Sequence, residues 1–402
     1  MTRLLSRTFQ ALAVRNFRLF FIGQTISNTG NGLTNVALIL FVLSVTHSGF
    51  AIGALTACQF GPLVVLSAWA GVVADRGDKR KLLLVTQSLE MLQSVGLAVL
   101  AFAPRPSLIA VYALALSGGV LLAFDNPLRR SFVPEMVAKD DLANAVVLYG
   151  TMVSVSQVFG PALAGLIATT LGYGWCFTLD AVSYLAVIAG LLMMRAGELF
   201  RSPPAPRARR AIREGYRYVL SVRDLWLSFA MFAVIGTFTF NFRVALPLFV
   251  TRSLHRTDVA FTALYAISST GAVVGALLVA HRRFVQLRHV IGASLALGVA
   301  MLLLSATPNV YLAAGAVFLV GGASIVYMTA TTSLAQVDTR RDMVGRVLAL
   351  QTALIGATAL VGGPVVGRLA DLAGGRAPLA IGGGVCLIAA AVARAITGAS
   401  AG

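Results

Sequence analysis

Charge is scarce in this chain. Of its 402 residues only 12% are Asp, Glu, Lys or Arg, 58% are hydrophobic, and the mean hydropathy is +0.84. A soluble domain carries about 25% charged residues, so this composition excludes one and places most of the chain in lipid. Cysteine is scarce too. Cys58, Cys176 and Cys386 lie far apart, each in or beside an apolar run, which argues against a disulfide framework or a thiolate metal site and makes them small core residues. The four histidines, His47, His255, His281 and His289, have no neighbours at ligand spacing, so no metal is implied. A Gly-rich loop ending in Lys-Ser or Lys-Thr is missing, which argues against an ATP-driven pump. Without a nucleophile and its base, or a metal cluster, near one membrane face, the chain does not read as an enzyme, and no cofactor is implied.

What is present is apolar length. Runs able to cross a ~30 Å hydrocarbon core, which takes about 20 helical residues, occur at Phe17–Val45, Phe50–Ala74, Leu82–Ala103, Leu108–Phe124, Ala145–Thr170 and Trp175–Met194. Six more follow at Leu225–Val250, Val259–Ala280, Val290–Ala306, Tyr311–Ala335, Val347–Ala370 and Pro378–Ile396. The first run is too long for a signal sequence and has no cleavage site after it, so it reads as a retained helix. The expected fold is all-α and integral to the membrane: twelve transmembrane helices in two pseudo-symmetric six-helix bundles, 1–194 and 224–402. A basic cytoplasmic linker, 195–223, joins them; it contains the Pro-rich stretch Arg201–Arg207 and an amphipathic segment near Arg213–Tyr218 suited to an anionic lipid surface. A repeat supports the duplication. Asn35-Val36-Ala37-Leu38-Ile39-Leu40-Phe41-Val42 returns 208 positions later as Arg243-Val244-Ala245-Leu246-Pro247-Leu248-Phe249-Val250, with six of eight letters unchanged. His47 falls opposite His255, and Gly160-Pro161 is answered by Gly363-Pro364. Internal symmetry near half-length in a very apolar chain points to a duplicated membrane bundle.

The net charge of +17 would suggest nucleic acid in a soluble protein, but here it follows from orientation. Placed on the runs, 26 of the 32 Lys and Arg fall at the N-terminus, the C-terminus and the loops after even-numbered runs, which puts both termini in the cytoplasm of a cell (inner) membrane protein. Only Arg243 fails to find a loop. Gly271 with Gly275, and Gly363 with Gly367, have the spacing that lets helices approach closely.

Polar groups inside the membrane each need a partner or a water-filled cavity. Gln24, Asn28, Asn31 and Asn35 recur at steps of 4, 3 and 4, so they share one helix face. They read as a cavity lining, with interhelical hydrogen-bonding glue as the plainer alternative. Glu90, followed by Gln93, and Asp180 are acids inside apolar runs, each paired within the bundle or facing a charged ligand. Arg243, with Asn241 close by, either pairs with Glu90 or Asp180 or faces a cavity, in which case the cargo carries negative charge or strong acceptors.

The most specific local pattern is Gly71-Val72-Val73-Ala74-Asp75-Arg76-Gly77-Asp78-Lys79-Arg80-Lys81, which resembles the loop signature of the major facilitator superfamily. The resemblance implies a cytoplasmic gate. Asp75 would sit at the N-terminus of the eleventh helix, beside Arg76, and Lys79 or Arg80 would bridge to Asp125 at the inner end of the fourth. Asn16-Phe17-Arg18-Leu19 with Gly23-Gln24, Phe124-Asp125-Asn126-Pro127, Val133-Pro134-Glu135-Met136-Val137, Leu179-Asp180-Ala181-Val182-Ser183-Tyr184 and Gly345-Arg346-Val347 are similar to the bacterial branch that includes enterobactin and macrolide exporters. That implies efflux of a drug or siderophore-like small molecule by alternating access, in exchange for protons, by a protein that works as a monomer among membrane lipids. Under that resemblance Glu90 is the candidate proton carrier within the membrane, with Asp180 ranked below it. Uptake of a metabolite or flipping of a lysolipid is the alternative. The chain departs from the branch in three places. Asn31 follows Gly30 where an acid is common, the fourth run has no mid-membrane Arg, and Ala280-His281-Arg282-Arg283 has lost the Asp of the second-half loop.

Overall fold

A computed structural model describes residues 9–200, 211–279, 286–340 and 343–398. Arg3, Arg7, the Pro-rich Arg201–Arg207 stretch and the loop Ala280–Arg283 with His281 lie outside the described residues. Twelve helical spans are long and apolar enough to cross a membrane, and no strand occurs among the described residues. The first six are α1 (Arg15–Thr46), α2 (Gly49–Arg76), α3 (Lys79–Phe102), α4 (Leu108–Met136), α5 (Leu142–Thr170) and α6 (Tyr173–Met193). The amphipathic α7 (Ala211–Ser221) follows. The seventh span is broken into α8 (Arg223–Thr239) and α9 (Phe242–Arg252), and then come α10 (Asp258–Val279), α11 (Leu287–Ala306), α12 (Val310–Val337), α13 (Val344–Ala373) and α14 (Ala377–Gly398).

The internal repeat is structural. His47 and His255, which end α1 and α9, are the two non-glycine residues with positive φ, at 50° and 51° among the described residues. Gly172 and Gly374, which open the turns after α5 and α13, have φ of 94° and 84°, a conformation that glycine adopts without strain. Equivalent turns in the two halves therefore use equivalent backbone.

The fold forms two compact units, one of Met1–Phe41 with Val65–Arg207 and the other of Val42–Val64 with Ala208–Gly402. The tip of the α1–α2 hairpin thus belongs with the second unit. Small residues set the helix approaches in both. In the first, Gly32 of α1 meets the backbone of Gly160 on α5, and Gly23 and Gly190 bring α1 against α6. In the second, Gly271 and Gly275 of α10 lie on the backbone of Phe318 and Gly322 of α12, and Gly363 and Gly367 of α13 lie on Gly53 and Gly49 of α2. Any side chain there would push the helices apart, the usual use of small residues in lipid. Helix α7 buries Val219 and is strapped to the α12–α13 connection, where Tyr218 Oη accepts from the Arg340 N–H at 3.1 Å and Glu214 pairs with Arg346 at 2.5 Å.

Two expectations are corrected at this level. The fourth span continues past Phe124 to Met136, which carries Arg129 into the helix interior, 5% exposed, where orientation counting had put it in a loop. The seventh span is not continuous: it breaks at Phe240 and Asn241, directly before Arg243.

Candidate functional site

Four helices of the first unit converge on a buried charge centre. Asp125 and Arg129, one helical turn apart on α4, form an ion pair with 2% and 6% of their side chains exposed. The same guanidinium donates to Asn28 Oδ1 of α1 at 2.8 Å and lies 3.5 Å from Glu90 Oε2 of α3. Gln87, one turn before Glu90, divides its amide between Glu90 Oε2 at 3.0 Å and Asp125 Oδ1 at 2.8 Å, and Thr86 adds a hydroxyl to Asp125 at 3.3 Å. Asp180 of α6 is fully buried nearby. Its Oδ2 accepts from Thr34 at 2.7 Å and Ser94 at 2.8 Å, while Oδ1 has no protein partner. Gly30 leaves space for that oxygen. Three buried carboxyls are thus served by one guanidinium.

Arg129 was missed from sequence. Its signal was the four-residue step from Asp125 inside a pattern whose apolar positions continue through Phe132, Val133 and Met136, all buried. Within the first unit Arg129 approaches Glu90, and hydroxyls hold Asp180; Arg243 belongs to the second unit. Asp125 does not bridge to Lys79 or Arg80. Lys79 instead pairs with Glu135 at 2.5 Å, and Arg80 donates to the Leu191 and Leu192 carbonyls. The reason is depth, since Asp125 is committed within the helix layer while the loop cations meet the last turns of α4 and α6. Asp75 and Arg76 are exposed.

The four amides of α1 are used unequally. Asn28 accepts from Arg129, Asn31 Oδ1 accepts from Tyr184 Oη at 2.8 Å, and Asn35 donates to the Asn31 carbonyl of its own helix at 2.8 Å. Gln24 is fully buried with neither amide atom paired in the protein, and Asn28 Nδ2 is likewise unpaired. Orphan polar atoms in a buried site are where ordered water resides.

The second unit holds the other charge centre. Asn241, 3% exposed, donates to the carbonyls of Thr237 at 2.9 Å and Thr358 at 3.2 Å, which braces the break against α13 and spends the amide that had been assigned to a cavity. Arg243 follows on the first turn of α9. Its Nε donates to Tyr265 Oη at 3.1 Å, and its guanidinium carbon lies 5.9 Å from the Phe60 ring centroid. Near the far end of α9 a further cluster, not foreseen from sequence, joins distant segments. Asp371 of α13 accepts from the N–H groups of Gly49 at 2.7 Å and Phe50 at 2.9 Å, which open α2, and from Arg252 at 2.7 Å.

The chain's relatives fit this architecture. The profile of the family described as transmembrane secretion effector matches residues 6–398. The chain belongs to that family of major facilitator transporters. It is 28% identical over 346 residues to the enterobactin exporters EntS of Shigella boydii serotype 18 and of Escherichia coli O6:K15:H31, covering 84% of this chain and 81% of theirs. Solved structures agree in fold. A bacterial homolog of the human lysosomal transporter Spinster, in an inward-facing and unoccupied conformation, superposes with a TM-score of 0.73 at 15% identity, covering 94% of this chain and 95% of that one. The nucleoside transporter NupG gives 0.74 at 13%, covering 95% and 99%. At these identities the structures establish the twelve-helix transporter fold alone. The major facilitator assignment accounts for the half-length repeat and for membrane-embedded charge on several helices, because such proteins move small molecules through the bilayer.

Proposed function

We propose that this protein is a secondary exporter of the inner membrane, with both termini cytoplasmic, that moves a small drug or siderophore-like molecule outward by alternating access in exchange for protons. One observation carries the coupling: Glu90, Asp125 and Asp180 are buried around the single cation Arg129. Were all three ionised, two negative charges would stand uncompensated within the membrane at several kcal/mol each, so the centre must hold protons. Asp125 clasps Arg129 directly and Asp180 rests on hydroxyls, whereas Glu90 is held most loosely, at 3.5 Å. Glu90 is therefore the carrier, with Asp180 as the second candidate. Gln24, Asn28, Asn31 and Asn35 in the first unit, and Arg243 in the second, contribute polar groups to cargo and water, while Asn241 fixes the backbone next to Arg243. Asp75, Arg76, Lys79 and Arg80 act at the cytoplasmic gate, with Glu135 in place of Asp125 as the partner of Lys79. The protein works as a monomer in contact with lipid, without nucleic acid. Similarity to the enterobactin exporters supports the outward direction.

Inverted membrane vesicles test this reading. With an inside-acid gradient, wild-type vesicles should accumulate cargo and lose it when the gradient collapses, and Glu90→Gln should bind cargo without concentrating it. Gradient-driven accumulation by Glu90→Gln would remove Glu90 from coupling, and cargo movement in the opposite sense would replace export with uptake.

A further inference from the structure

We infer that the site around Arg243 takes an aromatic anion, a planar ring bearing an acidic carboxyl or phenolic oxygen. This deepens the proposed export function and rests on reading Arg243 as cargo-facing. The residue lies within the span Arg223–Arg252, where a basic side chain needs a partner or a polar ligand. Arg129 and Arg252 each meet a carboxylate, Asp125 and Asp371 respectively. The described partners of Arg243 are neutral, the Tyr265 hydroxyl and the Phe60 ring. Of its five donors, Nε alone is engaged among the described residues. The two terminal nitrogens remain, and their parallel N–H groups match the paired oxygens of a carboxylate. The position adds charge of the same sign, since Arg243 is on the first turn of the eleven-residue α9, where the helix dipole is positive. A membrane-embedded cation whose described partners in its own unit are neutral calls for an anion.

The surroundings select the kind of anion. Phe60 offers a ring at 5.9 Å from the guanidinium, and Tyr265 packs on Phe261 with centroids 5.9 Å apart. A phosphate or an aliphatic acid would use the charge and leave these faces idle. A benzoate-like ligand uses both, because its ring stacks on or meets the edge of an aromatic neighbour while its carboxylate takes the fork. Tyr265 adds a polar tip that already points at Arg243, so a ring hydroxyl beside the carboxylate finds a second partner.

The test measures binding, apart from transport. The purified full-length protein in detergent is titrated calorimetrically with benzoate, salicylate, cyclohexanecarboxylate and inorganic phosphate, and with phosphatidylglycerol micelles as a lipid source of phosphate. Benzoate and salicylate should bind about 3- to 10-fold more tightly than the alicyclic acid. Arg243→Ala should weaken benzoate at least tenfold. Arg243→Lys, which keeps the charge and guards against a folding defect, should retain weak binding without the fork. Phe60→Leu should erase the preference for the aromatic ring and leave cyclohexanecarboxylate unchanged. Equal binding of aromatic and alicyclic acids, preference for phosphate from either source, or unchanged binding in Arg243→Ala would overturn the inference. A protein that binds aryl acids through Arg243 but moves none outward in vesicles would retire the export reading and leave this site assignment standing.

Discussion

Replacing Asp371 by Asn isolates one joint of the second unit. The carboxylate near the end of α13 caps a helix to which it is not connected. Its Oδ1 accepts from Gly49 N–H and Arg252, both at 2.7 Å, and its Oδ2 accepts from Phe50 N–H at 2.9 Å and Ser48 Oγ at 3.2 Å. Arg252 then reaches the His47 carbonyl at 2.8 Å and the Ala370 carbonyl at 2.9 Å. Asparagine keeps the shape and one acceptor but turns an NH2 group toward a donor. Three losses follow: about 0.3–1 kcal/mol for an anion at a helix N-terminus, about 0.2–1 kcal/mol for a partly exposed ion pair, and about 1 kcal/mol for an N–H left without its acceptor. The sum is roughly 2 kcal/mol, or about a 30-fold shift toward the released hairpin tip.

Hydrogen exchange read by mass spectrometry measures that shift where it arises. In Asp371→Asn, the amides at the start of α2 should exchange about 30-fold faster than in wild type when reclosing outpaces exchange, with α11 as an internal reference. Unchanged protection at Gly49 and Phe50 would refute the capping argument, and equal loss of protection in α11 would assign the effect to general destabilisation.

Two further substitutions probe the first unit. Arg129→Met leaves Glu90 and Asp125 without a cation, so at neutral pH the melting temperature should fall by the equivalent of about 3–5 kcal/mol. The deficit should shrink in acid, as protonation removes the stranded charge; a deficit of the same size at low and neutral pH would show that the cluster's charge is immaterial. Gly30→Ala puts a methyl 2.6 Å from Asp180 Oδ1 and against Ser183, an overpacking cost of about 1–3 kcal/mol, whereas Gly71→Ala, with nothing within 4 Å, should melt like wild type.

The spans were legible because lipid imposes a length on every crossing segment, so Phe17–Val45 and its eleven successors could be read by hydropathy alone. The small-residue pairs were legible too, since Gly363 and Gly367 can only mark a close approach. Their partners were not: Gly53 and Gly49 are more than 300 positions away, and no spacing rule links them. Arg129 was lost to the same tool that found the spans. Hydropathy ends the fourth run at Phe124, because Asp125, Asn126, Arg129 and Arg130 look like a loop, yet the helix continues since its charges are neutralised inside the unit. Glu90 and Asp180 could be named as buried acids from sequence, but their environments depend on α1 and α4 and appear only in three dimensions. Asn241 shows the opposite error. A polar residue near a membrane Arg suggests a cavity, whereas a break in the helix frees carbonyls that claim the amide first.

The repeat suggests why the two charge centres differ. Asn35 and Arg243 hold the same place in the two copies of one eight-residue stretch. In the first copy the helix is unbroken from Arg15 to Thr46, and the Asn35 amide folds back on the Asn31 carbonyl, so the position contributes no charge. In the second copy the helix breaks two residues earlier, at Phe240 and Asn241, and Arg243 extends to Tyr265 and Phe60. A duplicated bundle thus keeps its turns, as His47 and His255 show, while its polar positions diverge: the buried cluster of the first unit sets Glu90, Asp125 and Asp180 around Arg129, and in the second unit the described partners of Arg243 are neutral. Protons neutralise an excess of carboxylate, and an anion neutralises a spare guanidinium. In the proposed function the sign of the imbalance at each cluster allots proton coupling to the first and cargo recognition to the second. A variant that moves the charge, Asn35→Arg with Arg243→Asn, should fold on the same repeat yet lose aryl-acid binding, and retention of that binding would show that the imbalance does not decide where cargo sits.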